Sequence, residues 1–159
     1  MVAPVFMMGL GVGNALIFIN LSCIYILIFL IDWERREYMA AVTIQIQNDI
    51  MIINVFGRLS FDEIADTIKY HYDMVTCHVL WDFSRGNVGD ITTEQFKQIL
   101  ALAKEYRPFC EGGKTAYVST IDSNFGMTRM FATMAEIAGL PYPYKAFRSF
   151  EEAVDWLRE

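Results

Sequence analysis

The chain has 159 residues, 54% of them hydrophobic and 20% charged, with a formal net charge of −6. The first charged side chain is Asp32, so all of that charge lies after residue 31. An acidic chain with no basic stripe argues against nucleic-acid binding, and its size suits a single folded core.

The first element is an apolar run. Residues 15–31 read ALIFINLSCIYILIFLI, with clearly polar groups only at Asn20 and Ser22. A spanning helix needs about 20 apolar residues, and residues 11–31 supply that length. The Leu, Ile and Phe side chains of the run together favour insertion by about 4–7 kcal/mol. A cleavable signal peptide fits less well, because no Lys or Arg precedes the run and no small-x-small site follows it. Arg35 and Arg36 follow directly. Positive charge stays inside, so the chain reads as a single-pass membrane protein with its C-terminal domain in the cytoplasm. Met39, at the head of MAAVTIQIQ, offers an alternative start that would leave a soluble cytoplasmic protein. Gly9 and Gly13 have the spacing that lets helices approach closely, although a flexible start to the segment accounts for them more simply. The expected division is 1–38, membrane helix and juxtamembrane linker, and 39–159, a folded domain.

Within the domain, residues 42–46 alternate apolar and polar, which is strand spacing. Gln47, Asn48 and Asp49 are turn residues. Residues 50–56 form a second strand that Gly57 ends, giving a hairpin. Ser60 and Glu63 have the spacing of a capping box. They open a helix to about Tyr72 with Ile64 and Ile68 on its inner side. Residues 76–83 read as a third strand, broken by Ser84, Arg85, Gly86 and Asn87. Thr92 and Gln95 open a second capped helix, with Phe96, Ile99, Leu100, Leu102 and Ala103 on its buried face and Pro108 closing it. A fourth strand spans 115–119. Asp122 and Ser123 are expected to cap a third helix that ends near Gly139. A fifth strand covers 144–147, and a third capping box at Ser149 and Glu152 opens a last helix carrying Ala153, Trp156 and Leu157. The order β-β-α-β-α-β-α-β-α predicts an α/β fold: a mixed sheet of about five strands with four helices, parallel after the opening hairpin.

Four stretches carry a resemblance: VLWDFS at the third strand, GKTAYV at the fourth, FGMTRMF in the third helix and AFRSFEEAVDWL at the end. With them the domain resembles STAS domains of the anti-sigma-factor-antagonist, SpoIIAA-like kind, a fold related to the CRAL-TRIO lipid-binding proteins. The resemblance covers nearly all of residues 40–159. It implies a non-enzymatic regulatory or ligand-binding module that works by protein contact. In such antagonists the loop after the third strand holds a phosphorylatable Ser at a helix N-terminus, in an Asp-Ser-Ser-Gly-like motif. Here that loop reads Gly89-Asp90-Ile91-Thr92-Thr93. Thr92 or Thr93 takes roughly the serine's place, and the Ser-Gly signature is missing.

A phosphate on Thr92 or Thr93 would meet free backbone N–H groups and the positive helix end; a plain N-cap is the competing reading. Arg129 lies among Phe125, Met127, Met130, Phe131 and Met134. An Arg beside soft apolar groups suits a phosphate or carboxylate at the mouth of a greasy pocket, such as a lipid headgroup or a small amphipathic ligand. The competing reading is an Arg paired with a local acid over a Met-rich core face. Asp82 ends the third strand, where parallel strands gather functional groups, and Asp122 could pair with it. No nucleophile or His base accompanies them, so no catalytic residue is assigned and an enzyme is not expected. Cys77 and His78 point to opposite faces of a strand and cannot share a metal. Residues 111–115 end like a phosphate-binding loop, but Pro108 stands where its first Gly belongs. Cys23, Cys77 and Cys110 are odd in number and far apart, and are expected as reduced thiols. No cofactor or metal is expected. The partners expected are a protein, or a lipid or small amphipathic ligand, with the membrane contacted through residues 11–31; a homodimer is left open.

Overall fold

Asn48 and Asp49 both adopt positive φ, 48° and 64°. Two such residues in succession match the twist of a tight hairpin, and Asn and Asp tolerate that conformation better than most residues. The structure, a computed structural model, describes residues 41–159. The apolar run and Met39 lie outside them, and among the described residues no helix is long and apolar enough to cross a membrane. The hairpin joins β1 (Ala41–Gln47) to β2 (Ile50–Leu59), antiparallel from Ala41 opposite Phe56 to Gln47 opposite Ile50. Then come α1 (Phe61–His71), a single 3-10 turn (Tyr72–Met74), β3 (His78–Val88), α2 (Thr93–Tyr106), β4 (Thr115–Val118), α3 (Asp122–Ile137), β5 (Tyr144–Phe147) and α4 (Phe150–Arg158). The sheet runs β1-β2-β3-β4-β5, parallel from β2 onward. This is the expected STAS-like mixed sheet with four helices.

The strand period of two divides the core. Met51, Ile53, Val55, Val79, Trp81, Tyr117 and Tyr144 face a larger core shared with α1, α2 and α3. Ile50, Ile52, Leu80, Ala116, Val118 and Phe147 face a smaller one, where Ala153 and Leu157 of α4 meet them. Burial on both faces explains why β2 reads as a continuous apolar run. The edge strand β1 instead alternates, with Val42 and Ile44 against the larger core and Thr43 and Gln45 exposed.

Two of the three expected capping boxes form in full, Ser60 with Glu63 and Thr92 with Gln95. The third forms by half. Ser149 Oγ accepts from the Glu152 amide at 3.4 Å, but its own proton goes to the Glu151 carboxylate at 2.7 Å. Asp122 and Ser123 do not cap α3. Ile121 is its N-cap residue, without a side-chain bond, and Asp122 reaches Arg148 at 2.7 Å instead.

The expected breaks at Gly57 and at Ser84 to Asn87 are corrected. Both strands run past them, β2 to Leu59 and β3 to Val88. The cause is a bulge. Asn54 faces Asp82 but Phe56 faces Arg85, so β3 carries one extra residue between them. The Asp82 carboxylate accepts the Ser84 amide at 2.8 Å and satisfies the bulged backbone. Beyond it Gly57 has φ 73°, and a Cβ on Gly86 would lie 2.7 Å from the Val55 carbonyl oxygen and 2.9 Å from that of Gly57. These turn-type residues serve a close strand approach, not a chain reversal. Buried Asn124 at the start of α3 fastens the extension. It donates to the Gly86 carbonyl at 2.9 Å and accepts the Val88 amide at 3.2 Å. Gly86→Ala is therefore expected to destabilise the domain by about 2–3 kcal/mol, because backbone oxygens cannot yield to a new methyl. Urea unfolding measures this, and an unchanged midpoint would contradict the close approach.

Candidate functional site

Between the sheet and α1, α2 and α3 lies an apolar cavity of about 50 Å³. Helical spacing builds its roof: Ile64 and Ile68 come from α1, Phe96 and Ile99 from α2, Met127, Thr128 and Phe131 from α3. The Phe96 and Phe131 rings, 5.4 Å apart, close the seam between α2 and α3. One end is phenolic, formed by Tyr72, Tyr117 and Tyr144. Tyr72 accepts the Trp81 indole N–H at 3.0 Å. Tyr117 stacks on Tyr144 at 6.4 Å and meets Phe131 edge-on at 5.5 Å. Tyr117 is 7% exposed, and no side-chain hydrogen bond reaches its hydroxyl among the described residues. Burial pushes all three phenols above their usual 10.0. They are neutral at any physiological pH, so this end offers hydrogen bonds and no base.

Behind the phenols sits Arg107, only 7% exposed. Its Nη1 donates to the Thr115 hydroxyl, and its Nη2 donates to the carbonyls of Cys77 at 2.7 Å and Lys114 at 3.1 Å. The guanidinium lies 3.8 Å over the Tyr142 ring, and Nε has no partner among the described residues. No carboxylate pairs with it among the described residues. Thr115, which accepts from Arg107, stands opposite Tyr144 in the register of β4 and β5.

Cys77 and Cys110, expected as free thiols, are joined in a disulfide, with Cα atoms 5.3 Å apart. Separation along the chain said nothing about separation in space. The loop after α2 folds back over the start of β3, and Gly113 packs so tightly that a Cβ there would sit 2.9 Å from the Tyr142 ring and 3.0 Å from the Cys77 carbonyl. The Tyr142 hydroxyl ties the loop down, accepting from the Cys110 amide at 3.2 Å and donating to the Pro108 carbonyl at 2.9 Å.

His78, next in the chain, has a buried Nδ1 without a partner among the described residues. Burial first, then Lys114 and Arg107, lower its pKa from 6.5. The folded state thus binds a proton less readily than the unfolded chain. The neutral ring's contribution is intact above pH 6.5 and is lost as pH falls below that value. A urea midpoint that declines between neutral and mildly acidic pH is expected, with a shallower decline in His78→Gln. Identical pH profiles for the two proteins would refute the assignment.

A second feature lies at the opposite end of the sheet, where β2 and β3 stop and α2 and α3 begin. Arg58 and Asp90 form an exposed ion pair beside Thr92, and this surface is concave. Thr92 is the N-cap of α2, accepting the Gln95 amide at 3.3 Å, and Thr93 is the helix's first, exposed residue. Asp82 is held in the bulge by Ser84 and does not reach this surface. The remaining sequence candidates do not gather at the cavity. Arg129 and Met130 are exposed. Met134 is half-buried against the core, and Phe125 lies under the Arg148 guanidinium at 4.1 Å. The face of α3 that turns inward carries Asn124, Thr128, Phe131 and Ala135. Sequence reasoning missed Arg107 and the three tyrosines. The spacing of Thr128 and Phe131 on the buried face of α3 was the available signal for the cavity.

No family model matches the chain, and no curated protein matches it significantly. Among solved structures it is similar to an anti-sigma factor antagonist from Mycobacterium paratuberculosis, with 13% identity and a TM-score of 0.51 over 76% of this chain and 96% of that one. A DUF3478-family protein with a SpoIIAA-like fold from Shewanella loihica has 16% identity and a TM-score of 0.47 over 74% of this chain and 93% of that one. The phosphorylated cell fate determinant SpoIIAA from Bacillus has 18% identity and a TM-score of 0.44 over 74% of this chain and all of that one. At such identities the likeness is one of fold. Residues 41–159 share the fold of the Mycobacterium protein.

Proposed function

We propose that residues 41–159 form a non-enzymatic STAS-like regulatory module that acts by contact with a protein partner. The observation that carries this reading is the exposed surface at the strand ends. There the Arg58–Asp90 pair and Thr92 sit where two helices begin. The fold shared with the Mycobacterium protein supports it, since that protein's name gives it an anti-sigma factor as target. A phosphate on Thr92 would attract Arg58, repel Asp90 and break their pair, changing the charge of the contact surface in one step. A photo-crosslinking residue at position 90 is expected to give a discrete adduct in cells, abolished by Arg58→Glu. The same residue at exposed position 151, on α4, is expected to give none. Equal labelling at both positions would remove the surface from consideration. A kinase-dependent mass gain lost in Thr92→Ala/Thr93→Ala would identify the switch.

The cavity supports a second reading, binding of a small amphipathic ligand. Its volume of about 50 Å³ is well below the roughly 150 Å³ of an apolar cavity that takes benzene. A lipid acyl chain therefore fits only if α2 and α3 part at Phe96 and Phe131. A short apolar molecule with one polar group, met by Tyr117, fits better. In NMR titrations along an alcohol series, Tyr117 and Phe131 are expected to respond to the short members and to lose response with chain length. A response that grows with length favours a lipid, and no response removes the cavity as a site. Anchoring through residues 11–31, with the domain in the cytoplasm, stays part of the proposal. A carbonate-washed membrane fraction holding a species that begins at Met1 supports it; a soluble species beginning at Met39 overturns it.

A further inference from the structure

We propose that Cys77 and Cys110 form a thiol–disulfide exchange site whose redox state sets how firmly the phenolic end of the cavity is held. Both cysteines are partly exposed, and the adjoining Glu111 and Gly112 are exposed, so an external thiol can approach. The reactant is a dithiol. One of its thiolates attacks a sulfur of the pair, the S–S bond breaks and a mixed disulfide forms. The second thiol then displaces it. The dithiol ends as a disulfide, and Cys77 and Cys110 end as thiols, having gained two electrons and two protons.

What makes this more than a staple is the set of groups bonded to the backbone of the two cysteines. The Cys77 carbonyl accepts from Arg107, and the Cys110 amide donates to Tyr142. Arg107 stacks on Tyr142 and also bonds the hydroxyl of Thr115, which stands opposite Tyr144 in the register of β4 and β5. Tyr144 is a cavity wall and stacks on Tyr117. From Cys77 the path to the cavity wall thus runs through two residues, the buried cation Arg107 and Thr115, to Tyr144. Opening the bond frees the loop that holds Cys110, and with it one anchor of Tyr142. Trp81, 3% exposed, lines the same cavity and bonds Tyr72, so it is a built-in reporter.

The test uses the full chain in mild detergent with Cys23→Ser, so that only the pair reports, and with Trp33→Phe/Trp156→Phe, so that Trp81 alone emits. The protein is equilibrated across reduced-to-oxidised dithiothreitol ratios, quenched, alkylated and weighed. A reversible step of two alkyl groups is expected. Along the same step, Trp81 emission is expected to shift to longer wavelength, and amide exchange of residues 144–147 to speed by about tenfold as that end opens locally. Cys77→Ser/Cys110→Ser should match the reduced form. Full alkylation without reductant would overturn the proposal. So would reduction that leaves Trp81 and residues 144–147 unchanged, or that unfolds the domain outright, since either result leaves only a staple. The inference shares the cavity with the ligand reading but not its test. A Trp81 response without any alcohol binding removes the ligand and keeps the exchange site.

Discussion

Arg107→Ala is expected to lower the unfolding free energy by about 3–5 kcal/mol, the largest loss for a single side chain among those considered. The substitution deletes the donor to the Thr115 hydroxyl and to the carbonyls of Cys77 and Lys114. Each acceptor left dry costs about 1–3 kcal/mol, and the stacked face of Tyr142 loses its partner as well. No acidic group is stranded by the change, because none pairs with Arg107 among the described residues. Lysine is a poor rescue. Its single ammonium cannot match a planar fork that serves several acceptors at once, so Arg107→Lys should regain less than half of the loss. Urea unfolding followed by circular dichroism reads both variants. A cost below about 1 kcal/mol would mean that water reaches these acceptors when the guanidinium leaves.

Cys77→Ser/Cys110→Ser is expected to cost about 4 kcal/mol. The bond closes a loop with a sequence separation of 33 residues, and loop-closure entropy in the unfolded chain gives that magnitude. A reducing agent should bring the unsubstituted protein to the same midpoint. If oxidised protein and double variant unfold at the same urea concentration, the bond contributes nothing to stability. Set against a typical domain stability of about 5–15 kcal/mol, either loss is large. The two are not additive, because Arg107 donates to the carbonyl of the very residue that carries one sulfur.

Most of the architecture was legible because it is written locally. Alternation at residues 42–46, turn residues at 48 and 49, and hydroxyl–carboxamide or hydroxyl–carboxylate pairs at Thr92–Gln95 and Ser60–Glu63 each act within a few residues. What was not legible depends on partners distant in sequence. Ser84 to Asn87 look like a turn by any local rule. They extend a strand only because the backbone of β2 and the side chain of Asn124 await them. The disulfide needed the loop after α2 to fold back, which Gly113 and Tyr142 permit only in three dimensions. Arg129 and Phe131 are two residues apart, yet a helix turns them to different sides. Arg107 is the C-cap residue of α2, and nothing within its neighbourhood in sequence marks it as buried.

The sequential strand order bears on how the chain is made. Each strand lies beside its predecessor, so a chain leaving the ribosome can close the hairpin and add β3, β4 and β5 in turn at a growing edge. No finished strand has to part to admit a later one. The other face of the sheet has a different history. Ile50, Ile52 and Leu80 are covered by α4, whose nine residues follow all five strands of the sheet in the chain. Until α4 has been made, a nascent sheet would carry one bare greasy side. A ribosome stalled just short of Phe150 would display a well-paired sheet that is nonetheless a target for chaperones and for aggregation.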